Sequence, residues 1–276
     1  MTWRLSVVHQ TQYNYESEVT ASFNEARMTP LTTTHQLLVH HSLTVIPAPS
    51  IFGYQDYFGT TVESFDLQYP HTSLDIVSEN IVDTSVVVPG LGNMRWADIR
   101  STKVRNAYAQ YLSHTDLVDP IISDVDLSSE MSPYAAVDLL NSSMLERITY
   151  WPGATNVYTK ASQAWAEGKG VCQDFTHASI SLLRSAGIPA RYVSGYLYNG
   201  EGDIGETVIG ESHSWVEAWI GYWHAFDPTN GREVGEDHVI VARGRDYHDV
   251  TPLKGIFTGG RSRKVKVLVS VTRLPR

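Results

Sequence analysis

The chain has 276 residues, 42% of them hydrophobic and 18% charged, with a formal net charge of −9 at pH 7. That length fits one large or two modest domains, and burial of roughly 70–75% of the unfolded surface needs no disulfide or metal to hold a core. The composition is far from that of a disordered chain, and the negative charge argues against nucleic acid and anionic membranes as partners.

The basic run Arg261-Ser262-Arg263-Lys264-Val265-Lys266 reads as a solvated strand face. No apolar stretch follows the start Met1-Thr2-Trp3-Arg4-Leu5, and no run approaches the ~18 apolar residues of a membrane span. The single cysteine, Cys172, excludes an intrachain disulfide. A cytoplasmic location, where a lone thiol stays reduced, is the expectation.

Through residue 92 the pattern is that of strands. Trp3, Leu5 and Val7 alternate with polar neighbours, Leu43 and Val45 repeat the alternation, and Ile81–Val88 is rich in β-branched residues. Pro47-Ala48-Pro49, Phe52-Gly53, Phe58-Gly59 and Tyr69-Pro70 read as turns between them. This spacing predicts an antiparallel β-sandwich over 1–92. His40-His41 is no metal pair, because adjacent strand residues face opposite ways. Pro89-Gly90-Leu91-Gly92-Asn93 is the expected linker to a second domain over 93–276, whose terminal strand is free to pack elsewhere.

Ser132 and Pro133 predict the start of a helix over 133–148, with Ala136, Leu139, Leu140, Met144 and Ile148 as its apolar stripe. A short helix over 159–167 should stop at Gly168, and a buried one over 172–186 at Gly187-Ile188-Pro189. Strands are predicted at 190–197, 213–220, 222–227, 238–242 and 265–271, with 199–210 read as a Gly- and acid-rich loop. The fold class is therefore α+β, with a buried helix on an antiparallel sheet.

Cys172 opens that buried helix after Gly168-Lys169-Gly170-Val171. Unpaired N–H groups and the positive end of the helix dipole favour a thiolate there, and the same N–H groups can donate to an oxyanion. A thiol nucleophile needs a base, and the base an orienting group. Of eleven histidines, His213 is the best placed, sharing a strand face with Trp215, Glu217 and Trp219. A hairpin turning near Gly221 would set Asp227, at the far end of the next strand, beside His213. Asp174 reads as a stabiliser of the helix start. The histidines form no H-E-x-x-H set, and Gly200-Glu201-Gly202-Asp203 is neither a P-loop nor a dinucleotide fingerprint.

Gly170-Val171-Cys172-Gln173-Asp174-Phe175, Ser212-His213-Ser214-Trp215-Val216-Glu217 and Phe226-Asp227-Pro228-Thr229-Asn230 resemble the three motifs of the bacterial transglutaminase-like superfamily, described as candidate cysteine proteases. Gly187-Ile188-Pro189-Ala190-Arg191-Tyr192-Val193-Ser194-Gly195-Tyr196 and Gly244-Arg245-Asp246-Tyr247 extend the resemblance. Tyr13-Asn14-Tyr15, Asn24-Glu25-Ala26-Arg27 and Pro30 resemble the β-rich N-terminal region of these bacterial proteins. The resemblance implies a papain-like core in which Cys172, His213 and Asp227 are catalytic. Gln173, Trp215 and Tyr247 are then candidates for the oxyanion site or the substrate cleft. Ser214 departs from the usual alanine. The implied activity is acyl transfer at amide bonds of a peptide, a protein or a small amide through a thioester, with hydrolysis favoured, transamidation of protein glutamine or a non-catalytic peptide-binding module as the alternatives, and neither metal nor cofactor required.

Overall fold

The computed structural model describes residues 2–86, 90, 94–127, 131–210, 212–260 and 263–276; apart from Gly90, the expected linker at 89–93 lies outside them, as does 261–262 of the basic run. Five strands open the chain: β1 (Thr2–Ala26), β2 (Gln36–Ile46), β3 (Ile51–Gln55), β4 (Thr61–Leu67) and β5 (His71–Ser85). Phe52-Gly53 lies within β3 rather than at a turn; its backbone pairs with Ser64 and Glu63 of β4. Two short helices follow, α1 (Trp96–Ile99) and α2 (Thr102–Ala107). After a 3-10 turn over Ala109–Tyr111, α3 (Pro133–Arg147) starts as expected, with the Ser132 hydroxyl accepting from the Ala135 amide at 3.1 Å.

The remaining elements are β6 (Thr149–Tyr150), α4 (Ala161–Glu167), β7 (Lys169–Gly170), α5 (Cys172–Ala186), β8 (Ala190–Leu197), β9 (Thr207–Gly210), β10 (His213–Trp219), β11 (Trp223–Asp227), β12 (Arg232–Glu233), β13 (His238–Gly244), α6 (Tyr247–Val250), β14 (Leu253–Gly259) and β15 (Arg263–Leu274). The segment 207–210, expected as loop, is strand: Thr207-Val208-Ile209 is β-branched and pairs along β15. β14 had no sequence signal comparable to that of β15, and its partner is the far end of β1.

Two antiparallel sheets result. One runs β12-β11-β10-β8-β13, and α5 packs across it. The other joins eight strands and is organised by β1. The first half of β1 pairs with β5 and β15, and its second half with β4 and β14. This long strand folds the sheet over a core of Tyr13, Ala26, Met28, Val45, Phe65, Leu67, Leu74 and Ile76. Strands from both expected units, 1–92 and 93–276, thus share one sheet.

The two sheets also share a core. Leu5, Val7 and Val82, with Val269 and Val271, belong to the same buried cluster as Phe175, Ala178, Val216 and Phe226. Polar contacts fix the registration between them. Gln36 is 4% exposed; its amide nitrogen donates to the carbonyls of Leu31 (2.6 Å) and Ile240 (2.7 Å), and its oxygen accepts from the Ile240 amide (2.7 Å). That site on β13 coincides with a register shift between Ile240 and Ala242, which leaves backbone groups free to bond the side chain. The Gln36→Leu variant should therefore lose about 1–3 kcal/mol of stability, the cost of buried backbone groups left unsatisfied. Urea denaturation measures this, and an unchanged midpoint would mean that Gln36 does not tie the sheets together.

Candidate active site

Helix α5 is held at both ends. Gly168 stops α4 in the left-handed region at φ 64°, and a Cβ on Gly170 would stand 2.5 Å from the Asp174 Cβ, so only glycine lets the chain close on that side chain. Asp174 Oδ2 accepts from the Val171 amide (2.7 Å) and the Thr155 hydroxyl (2.6 Å), so Asp174 serves the helix start. Burial, despite these bonds, raises its pKa. Asp174 N and Phe175 N bond to Val171 O. The Cys172 amide lies ahead of them in the opening turn, where helix geometry provides no partner. At the other end Gly187 caps α5 with φ 85°. Buried Arg184 bonds the carbonyls of Ser113, Ala190 and Arg245. Burial lowers its pKa to about 10.

Beside that opening turn stand the first residue of β10 and the last of β11. The hairpin pairs Val216 with Phe226 and Trp219 with Trp223, which sets Asp227 opposite Trp215 and one diagonal step from His213. His213 Nε2 donates to Asp227 Oδ2 at 2.8 Å. The fully buried Asp227 also closes its own turn, Oδ1 accepting from the amides of Thr229 (3.1 Å) and Asn230 (3.3 Å). Asn230 Nδ2 donates to Oδ2 at 2.6 Å. Burial opposes ionisation of Asp227, but hydrogen bonds from His213, His238 and Asn230 outweigh it and hold its pKa far below the carboxylate range.

Cys172 is partly exposed and near enough to His213 to raise its pKa. Burial pulls the His213 pKa down, but hydrogen bonds and charge from Asp227 and then Cys172 bring it to about 10. Ser214, where alanine is usual, is buried and meets the Thr176 hydroxyl at 3.1 Å, so its added oxygen has a partner.

The other candidates lie at different depths. Gln173 Nε2 donates to the Val157 carbonyl at 3.3 Å. Tyr247 lines an open cavity of about 630 Å³, and the charge of nearby Cys172 adds to the burial that raises its pKa. Trp215 is fully buried, 5.1 Å edge-on from the His238 ring, and does not line that cavity. Its close neighbour is Gly195, where a Cβ would sit 1.9 Å from the Val239 carbonyl and 2.7 Å from the indole.

His238 was not legible as a site residue. It is buried, with Nε2 3.3 Å from Asp227 Oδ2 and Nδ1 2.8 Å from Asp237 Oδ1. Asp237 resists ionisation through burial, yet bonds from His238 and Arg232 lower its pKa to about 2. The only hint in sequence is the Asp-His pair opening a strand. Donor atoms of His213, Asp227 and His238 lie within 4.8 Å of one another, a spacing that a metal also tolerates. Here Asp227 Oδ2 already accepts from His213 and Asn230 with His238 beside it, so hydrogen bonds fill its lone pairs.

A helix-borne thiol, a strand-borne imidazole and a buried carboxylate on an antiparallel sheet are the arrangement of the transglutaminase-like fold. The chain belongs to the transglutaminase-like superfamily: residues 124–228 match that superfamily and residues 5–83 match the bacterial transglutaminase-like N-terminal region. It is 41% identical to the uncharacterized protein ML0607 of Mycobacterium leprae (strain TN) over 277 residues, 99% of each chain. A protein from Cytophaga hutchinsonii, its solved structure named as that of a proposed cysteine protease, shares the fold with TM-score 0.72 and 20% identity, covering 99% of this chain and 98% of its own. A 108-residue stretch, 35% of this chain and 16% of the relative, is 30% identical to a protein-glutamine gamma-glutamyltransferase of Pseudomonas aeruginosa.

In an NMR titration the His213 ring should hold its proton through neutral pH and release it near 10 rather than near 6.5. Cys172→Ala should lower that midpoint, and Asp227→Asn should lower it further. A raised pKa stabilises the fold fully below pH 6.5, and that contribution disappears as pH rises toward 10. His213→Ala should accordingly flatten the loss of stability between pH 6 and 10. A wild-type midpoint at 6.5 would overturn this electrostatic account.

Proposed function

We propose that the protein is a thiol acyl-transfer enzyme acting on amide bonds of peptides or proteins, with Cys172 as nucleophile, His213 as general base and acid, and Asp227 as the group that orients the imidazole. The observation that carries this reading is the His213–Asp227 bond of 2.8 Å, set beside a Cys172 that raises the pKa of the same imidazole. The raised pKa of His213 keeps its imidazole protonated at neutral pH, ready to give a proton to the leaving nitrogen.

The thiolate adds to the amide carbonyl carbon, forming a C–S bond while the C=O π pair moves onto oxygen. The Cys172 amide at the helix start is the candidate donor to that oxyanion. As the C=O re-forms, the C–N bond breaks, and His213 passes its proton to the departing nitrogen. A thioester remains on Cys172. Water then adds to it, giving a proton to His213, and collapse releases the acid and the thiolate. Hydrolysis is the primary reading because water is always present. Transamidation, in which an amine replaces that water, is the second, favoured by the partial similarity to a protein-glutamine gamma-glutamyltransferase.

Peptide anilides and glutamine-containing peptides, assayed with and without an added amine, test this. Cys172→Ala and His213→Ala should each lose at least about 10³-fold in kcat/KM with unchanged far-UV dichroism, and the double variant should be little worse than either. Asp227→Asn should lose less than Cys172→Ala, because it does not join the covalent chemistry. EDTA should leave the rate unchanged, and full loss restored only by zinc would contradict the reading. Binding of peptides without turnover in every assay would instead make the chain a recognition module.

A further inference from the structure

A cavity of about 630 Å³ lies between the eight-stranded sheet and the loops and short helix α6 that flank the candidate site. On the core side it meets Ser212, next to His213; Val157, whose carbonyl holds Gln173; and Tyr247. Its opposite wall is the eight-stranded sheet. Thr11 and Tyr13 of β1 lie directly across from Val267 and Val265 of β15, and all four line the cavity.

Alternation along these strands explains why. The face that carries Leu5 and Val7 on β1, and Val271 and Val269 on β15, is buried in the shared core. At His9 that face still touches the other sheet, its Nδ1 2.9 Å from the Tyr196 hydroxyl. Beyond His9 the face also lines the cavity: Thr11 and Tyr13 stay buried, whereas Val265 and Val267 opposite them are 47% and 46% exposed. Two exposed valines on the face that elsewhere packs the core are apolar surface facing a cleft rather than bulk solvent.

The lining also carries a charge pattern. Among the described residues no carboxylate lines the cavity. Burial lowers the pKa of His9 to about 4, so that ring is neutral. Lys254, the lysine in the lining, lies across from Glu25 on β1, whose carboxylate offsets its charge. A substrate ammonium entering here would lose water without gaining a counter-charge. Tyr158, Tyr247 and the valines offer apolar and aromatic area instead. A cavity of this size suits a ligand of drug-like or short-peptide dimensions.

We propose that the β1–β15 face of the N-terminal sheet is the substrate-selecting wall of the cleft, and that it takes peptide acyl donors whose side chains next to the scissile amide are apolar or aromatic and uncharged. The proposal rests on Cys172 being the nucleophile, and it gives the β-rich N-terminal region a part in binding that the thiol, imidazole and carboxylate do not need.

The test uses the full chain with peptide p-nitroanilides bearing Phe, Leu, Asp or Lys beside the anilide bond. Wild type should prefer Phe and Leu, with Lys the poorest. Val267→Trp and Val265→Trp, both at exposed strand positions, fill the cavity from its far wall. Each should cut kcat/KM for the Phe substrate by about tenfold or more, mainly through KM, the scale of a filled apolar pocket. Iodoacetamide, small enough to pass a narrowed cleft, should still alkylate Cys172 at nearly the wild-type rate, and melting curves verify folding. If Cys172 of the wild type neither reacts with iodoacetamide nor turns over any anilide, the nucleophile reading fails and the proposal with it. If Cys172 reacts and anilides are cleaved, but both folded tryptophan variants keep wild-type KM or the Lys substrate is preferred, the wall is not selective and this proposal alone is overturned.

Discussion

One buried carboxylate sets the electrostatics of the site. Asp227 lies out of solvent with its charge intact because backbone amides, Asn230 and two histidine rings surround it. A carboxylate in that position would be costly alone; with this many donors it becomes the fixed charge to which His213 answers. The imidazole therefore keeps its proton where an exposed histidine would lose it. Much of the neighbouring structure serves this geometry. Gly195 makes room for Trp215, Trp215 packs on His238, and His238 spans Asp227 and Asp237.

The same sheet carries a second buried charge cluster. Glu217 accepts from Arg191 at 2.5 Å and from Arg243 at 2.9 Å, bridging β10 to β8 and β13, and the Arg191 guanidinium stacks 3.9 Å over Trp223. Burial would raise the Glu217 pKa, but the charges of Arg243 and Arg191 lower it. Residues 213, 215 and 217 share a strand face, so this bracing holds the face on which His213 is presented. The β-rich region contributes from the other direction. It shares the hydrophobic core, clamps β13 through Gln36 and forms a wall of the cavity that Ser212 and Tyr247 also line.

What the sequence made legible was local. The helix beginning at Cys172 and ending before Gly187-Ile188-Pro189 was readable because its stop signals are adjacent in the chain, and the His213–Asp227 hairpin because a short turn fixes its register. Other features were not readable, because each depends on a partner that its own local pattern does not indicate. The strand at 207–210 exists because β15 offers it an edge, and β14 because the far half of β1 does. His238 looks like any of eleven histidines until folding sets it against Asp227. Trp215, which shares the His213 face of the strand, is fully buried against His238 and Gly195. The cleft wall joins β1 to β15 at opposite ends of the chain, so no window of sequence contains it.

The central claim is that chemistry passes through a covalent bond to the Cys172 sulfur, and the most direct measurement is the intact mass of the protein quenched in acid within the first turnovers of a peptide ester or anilide. The account predicts an added mass equal to the acyl fragment, located by digestion on the peptide containing Cys172, formed in wild type and absent from Cys172→Ala. It further predicts that added hydroxylamine removes the adduct, as expected of a thioester. Steady turnover with no acyl mass at any quench time, or an adduct that persists in Cys172→Ala, would contradict it.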